Sequence, residues 1–185
     1  MPLRNFLSLV AGLALLPLLM ARADTPLGDQ AAEVIEQRCI VCHGCYDAPC
    51  QLKMEAWEGI QRGATKAKVY DGSRLREAPL TRLFDDAQST EEWRGKGFYP
   101  VVGTESPGRD LMKRMIELKK THPLPTQGPM PEGFDFSLAR TEQCPKPEEF
   151  GAYKKKYPLW GMPYGLPGLN DDEHQLMIDL SLIHI

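Results

Sequence analysis

Cys39-Ile40-Val41-Cys42-His43 sets two thiols three positions apart and an imidazole directly after the second. This C-x-x-C-H order is the pattern of c-type haem attachment: each thiol adds to one porphyrin vinyl group, and the adjacent His43 is placed to give the iron its proximal nitrogen. With five Cys and four His in 185 residues, a chance match anywhere in the chain has a probability of roughly 0.003. The preceding residues agree, because Asp29 can cap a helix that carries Ala32, Ile35 and Cys39 on related faces and delivers the motif at its end. Two other chemistries use paired cysteines. Zinc wants a second ligand pair, whereas His122, His174 and His184 are dispersed single residues. A thioredoxin-type pair follows a strand, whereas here a helical pattern comes first. The expected cofactor is one covalent haem c on Cys39, Cys42 and His43.

Cys45, Cys50 and Cys144 remain. In an oxidising compartment Cys45 and Cys50 can close a small loop across Tyr46-Asp47-Ala48-Pro49. Pairing of Cys144 with either one is the competing connectivity, and the sequence does not choose between them. The compartment is read from residues 1–23, MPLRNFLSLVAGLALLPLLMARA. Arg4 is a basic n-region, Phe6 to Met20 an apolar stretch and Ala21-Arg22-Ala23 an A-x-A cleavage pattern, which together read as a signal peptide with a mature domain over 24–185. A retained anchor is disfavoured, because the stretch is broken by Gly12 and Pro17 and is short of the ~20 residues a spanning helix needs. The expected location is the periplasm, where the cytochrome c maturation machinery would be a partner.

A formal charge of −3, falling to −5 once Arg4 and Arg22 leave with the signal peptide, offers no basic field for a phosphate backbone, so nucleic acid is excluded as the main partner. The length suits one domain. Its elements are read from spacing. Gln51 to Gly63 fits a helix through Leu52, Ala56, Trp57 and Ile60, yet Leu52, Met54 and Ala56 also alternate as in a strand. Lys68-Val69-Tyr70 before Asp71-Gly72 suggests a short extended piece and a turn. Ser89-Thr90-Glu91-Glu92 has capping-box spacing, which starts a helix ending near Gly95 or Gly97. Ser106-Pro107 starts another, over about 107–120, with Leu111, Met112, Met115 and Ile116 on one face and Lys113, Arg114, Lys119 and Lys120 around it. Such a helix can sit in the core or dock on an anionic membrane. From Thr121 to Gly168, nine Pro and six Gly in 48 residues imply irregular backbone, with one helix within Pro147 to Tyr157. Asn170 caps a terminal helix through Leu176, Met177, Leu180 and Ile183, able to pack on the helix before Cys39. The fold class is mainly α with much irregular structure: a cytochrome c-like helical haem domain with a long Pro/Gly-rich insertion.

A soft thioether is the usual partner of His on an electron-transfer c haem. Met162 is the first candidate, since Trp160-Gly161-Met162-Pro163-Tyr164-Gly165 cannot form regular structure and leads straight into the terminal helix. Met130, in Gly128-Pro129-Met130-Pro131, competes, followed by His122 or His174 and by an open sixth position. The choice bears on function: a six-coordinate iron exchanges electrons through the ring edge, whereas an open iron can engage a substrate.

The string from Cys39 to Lys53 (CIVCHGCYDAPCQLK), with GATKAKVYDGSRL at 63–75, TRLFDDAQSTEEWRGKGFYPV at 81–101 and GMPYGLPGLNDDEH at 161–174, resembles the N-terminal part of the bacterial fatty-acid cis/trans isomerases. The resemblance implies a periplasmic c-haem enzyme that converts cis double bonds of unsaturated fatty acids, free or in phospholipid acyl chains, to trans without moving them. It thereby stiffens the membrane under stress and touches the membrane surface transiently. It implies that Cys39 and Cys42 anchor the haem and His43 ligates it. In the mechanism suggested for the family, ferric haem draws electron density from the double bond, bond order falls, rotation occurs and the electron returns. Members are several times longer than this chain, which stops within an apparent helix at Ser181 to Ile185, so the expectation is an N-terminal portion. The alternative function is a periplasmic c-type cytochrome electron carrier. About 120 residues between His43 and Met162, more than a minimal carrier needs, argue for a dedicated pocket.

Overall fold

A helix that presents Ala31, Val34 and Ile35 on one side buries that stripe only if another element lies along it. The computed structural model describes residues 26–70, 77–103, 110–136 and 142–182, and in it α1 (Pro26–Arg38) packs along α7 (Asp171–Leu182). All three stripe residues are buried, as are Met177, Ile178 and Leu180 of α7. Between them the chain runs through α2 (Ile40–His43), a 3-10 turn (Pro49–Gln51), α3 (Trp57–Arg62), α4 (Thr90–Gly95), α5 (Leu111–Thr121) and α6 (Phe150–Lys156). The described residues form no strand. An isolated bridge joins the segment after α3 to the one before α5, with Ala64 and Tyr99 exchanging N–H to carbonyl bonds of 3.0 and 2.8 Å. The architecture is mainly helical with long irregular connections. The signal-peptide reading of 1–23, the turn at Asp71-Gly72 and the Ser106-Pro107 helix start lie outside the described residues.

Where capping chemistry is complete, helix starts fall where spacing puts them. Ser89 Oγ accepts from the Glu92 N–H at 3.2 Å and begins α4. Asn170 Oδ1 accepts from the Glu173 N–H at 2.8 Å while the Glu173 carboxylate accepts from the Asn170 N–H at 2.9 Å, a reciprocal box that begins α7. Other boundaries differ from the expectation. The first helix starts at Pro26, so Asp29 lies in its first turn instead of capping it, and the buried stripe runs through Ala31 instead of the exposed Ala32. Asp110 caps α5, its Oδ1 accepting from the Lys113 N–H at 2.9 Å. Pro158 keeps Tyr157 out of helical geometry, so α6 ends at Lys156. Residues 52–54 are irregular and the helix there is confined to Trp57–Arg62.

Two readings that the sequence left open are decided. The basic amphipathic α5 is not a membrane-docking face: Leu111, Met112, Met115, Ile116 and Leu118 all belong to the main core. The disulfide is Cys50–Cys144, with Cα atoms 5.5 Å apart across a sequence separation of 94, and not the short Cys45–Cys50 loop. Cys50 holds a left-handed φ of 58° inside the 3-10 turn, and Cys144, 2 % exposed, comes up against it, leaving Cys45 exposed.

The segment carrying Met162 lies hard against α5. The Met162 N–H donates to the Met115 carbonyl at 3.0 Å, and a Cβ on Gly161 would collide with the Lys119 backbone nitrogen. Helix backbone cannot give way as a side-chain tip can, so Gly161→Ala is expected to cost about 2 kcal/mol and to push the 160–163 segment outward. Thermal unfolding checks this, and an unchanged midpoint would mean the segment does not press on α5.

Candidate functional site

His43 closes α2 with its side chain buried, and its Nδ1 lies 2.9 Å from the Leu52 carbonyl oxygen. A carbonyl only accepts, so Nδ1 carries the proton and Nε2 keeps a free lone pair. The return of the chain through residues 44–52 makes this possible: the Gln51 N–H bonds the Ala48 carbonyl at 2.8 Å, and the Met54 N–H bonds the His43 carbonyl at 2.9 Å. The Leu52 carbonyl thus fixes the imidazole's tautomer, and the Met54 bond holds the His43 backbone that carries it. Burial lowers its pKa below the ordinary histidine value, with the Leu52 bond opposing in part, which favours the neutral ring.

His43 lines an apolar cavity of about 130 Å³. Cys39 and Cys42 line it too, and so do Met162 and Tyr164 from the Gly/Pro-rich segment before α7. The far wall is α5, through Leu111, Met112, Met115 and Ile116, and the Cys50–Cys144 bridge forms another part of the lining. Cys39 is partly buried, which pushes its thiol up to about 11, while Cys42 is exposed. Among the described residues that line the space, Arg38 is the one charged side chain and no carboxylate takes part. An acid/base pair for moving a proton along an alkene is therefore not built into this wall.

All four residues singled out from the sequence, Cys39, Cys42, His43 and Met162, meet at this one cavity. The competitors for the second axial position do not line it. Met130 is 39 % exposed, His122 is the C-cap of α5, and His174 lies in the first turn of α7. Sequence reasoning missed the Leu52 carbonyl, the α5 wall and Arg38. The apolar run of α5 was a signal for a buried wall, whereas nothing local marks Leu52 or Arg38. Among the described residues no three His, Cys, Asp or Glu side chains converge on a metal-sized point. One imidazole, one thioether and two thiols around an apolar space suit a group that brings further ligands of its own.

Fold and site define a class first: a mainly helical domain with an apolar cavity that has nitrogen and sulfur donors in its wall. Residues 78–180 match the family model described as Fatty acid cis/trans isomerase. The match takes in more than half of the chain, and the chain belongs to the fatty acid cis/trans isomerase family. The matched span holds Met162, Tyr99 and the α5 wall, while Cys39, Cys42 and His43 precede it. Membership implies interconversion of cis and trans fatty acids as the activity. Comparison with curated proteins and with solved structures finds no match.

Proposed function

We propose that the chain is a cytochrome c-like domain for one haem c, which Cys39 and Cys42 would hold covalently and to whose iron His43 and Met162 would supply donors. With that haem the enzyme converts cis double bonds of unsaturated membrane fatty acids to trans without moving them, as a response to membrane stress. The observation that carries this reading is the His43 Nδ1 bond to the Leu52 carbonyl, which leaves Nε2 free in a cavity also lined by both motif cysteines and Met162. When bound, the haem supplies a redox centre able to draw electron density from a double bond and so ease rotation about it. The chain's own residues orient the imidazole and exclude water with the aliphatic and thioether side chains of α5. The bridge at Cys50–Cys144 supports an oxidising location, and the periplasm is the one that also supplies haem attachment.

His43→Ala in the full-length protein, expressed in a host that attaches c haem, is expected to abolish the rise in the trans to cis ratio of membrane fatty acids after solvent exposure. An unchanged ratio would remove haem-dependent isomerisation. If instead wild type never alters the ratio but reduces and reoxidises with a periplasmic redox partner, the chain is an electron carrier. Met162→Ala is expected to lose the low-spin absorption that Met130→Ala keeps.

A further inference from the structure

We propose that Arg38 is a positioning residue that latches the Met162 segment over the cavity. The idea rests on the haem reading above for its consequence at the iron, but the latch itself is drawn from this chain's contacts.

Arg38 is the last residue of α1, directly before Cys39, and it lines the cavity. Two of its guanidinium nitrogens reach the segment that leads into α7 and that helix's first turn. Its Nη2 donates to the Gly168 carbonyl at 2.9 Å, with the Pro167 carbonyl at 3.5 Å, across some 130 residues of sequence. Its Nε stands 3.8 Å from the Glu173 carboxylate. That same carboxylate accepts the Asn170 N–H, so the guanidinium is joined to the capping box that begins α7. The segment between Gly161 and Asn170 is held at its start, where the Met162 N–H meets the Met115 carbonyl, at Tyr164, whose hydroxyl donates to the Asp135 carbonyl at 2.6 Å, and at its end, through Arg38. Arg38 is the tie at the α7 end, and Met162, Tyr164 and Leu166 of this segment line the cavity.

The planar fork suits this task. Arg38 reaches neighbouring carbonyls and a carboxylate at once, which a single ammonium cannot match. Its place in sequence couples two things: whatever orders Cys39 and Cys42 also orders the residue that holds the opposite wall. A segment freed at one end spends more of its time away from the cavity. A donor carried on it then competes less well with a small ligand from solution, whose apparent affinity rises with the fraction of open molecules.

The test compares wild type, Arg38→Gln, Arg38→Lys and Met162→Ala, each as the full-length protein from a host that attaches c haem. Two measurements are made: hydrogen exchange at the amides of 162–170, and the affinity for added imidazole read from the absorption spectrum. Arg38→Gln is expected to speed exchange in that segment selectively and to bind imidazole about tenfold more tightly, approaching Met162→Ala. Arg38→Lys is expected to fall between, and it reports on the latch should the glutamine variant fold poorly. A mere staple between α1 and α7 would raise exchange throughout both helices without favouring 162–170. Unchanged exchange in 162–170 for both Arg38 variants overturns the latch. So does an imidazole affinity that Met162→Ala raises and neither Arg38 variant moves. Loss of covalent haem from wild type would sink the haem reading, while the exchange comparison would still decide the latch.

Discussion

Cys144→Ala lowers the stability of the protein by about 4 kcal/mol, the largest loss expected from any single change discussed for this chain. A cross-link between positions 94 apart removes a large share of the unfolded chain's freedom, and the loop-closure relation gives about 4.7 kcal/mol for a loop near 100 residues. For a domain of this size the loss corresponds to a fall of roughly 10 °C in the unfolding midpoint. The folded side of the balance gives little back. Cys144 is buried, its carbonyl accepts from the Tyr99 hydroxyl at 3.2 Å, and an alanine there leaves that bond in place. Cys50, however, sits at φ 58° beside Gln51 at φ 49°, two non-glycine residues in left-handed geometry that the bridge helps to hold. Both bridge residues line the cavity, so the variant is also expected to loosen its wall.

The control is Cys45→Ala, which touches an exposed free thiol and is expected to leave the midpoint within about 0.5 kcal/mol of wild type. Chemical reduction of wild type should reproduce the Cys144→Ala midpoint. A loss on Cys45→Ala equal to that on Cys50→Ala would instead assign the short Cys45–Cys50 loop.

That connectivity shows where the sequence stopped being legible. Short-range chemistry was readable: Ser89 accepts from the Glu92 N–H and Asn170 forms a reciprocal box with Glu173, each within one turn, so two helix starts could be placed to the residue. The start of α5 was not: Ser106-Pro107 was the signal read, whereas the fold places the Asp110 carboxylate on the Lys113 N–H. The apolar face of α5 reads from its spacing first as core, with a membrane surface as the alternative. What decides it is the approach of Gly161 and Met162, residues more than 40 positions away. At the site the donors themselves were legible, since C-x-x-C-H is a local pattern and Met162 lies where Gly and Pro forbid regular structure. Their supports were not. The Leu52 carbonyl meets His43 through a turn built on the left-handed Cys50 and Gln51, and Arg38 acts across 130 positions, neither of which leaves a mark on composition or spacing. Residues that carry chemistry have recognisable types, whereas residues that position them are chosen by geometry alone.

Lys119→Met raises stability by about 2 kcal/mol at neutral pH. Lys119 is 1 % exposed, its Nζ has no hydrogen-bond partner among the described residues, and its side chain runs beneath Gly168 of the Met162 segment. Burial alone pushes its amine from 10.5 down to about 8. The sign follows from which state holds the proton. Below pH 8 the amine is charged in both states, and the folded protein bears the full cost of a buried ammonium. Between pH 8 and 10.5 the unfolded chain keeps a proton that the folded one has released, so wild-type stability climbs with pH; above 10.5 the penalty is gone. A shift of this size corresponds to at most about 3 kcal/mol, and methionine fills nearly the same volume without the charge. Tyr99 and Tyr153, both raised by burial, affect the alkaline end equally in the two proteins and cancel in the difference. Urea unfolding of wild type and variant should therefore show a gap that is widest at neutral pH and closes as pH approaches 10.5. A gap that stays constant across that window would assign the gain to packing instead of charge, and a less stable methionine variant at neutral pH would show that the amine has an acceptor worth more than its burial costs.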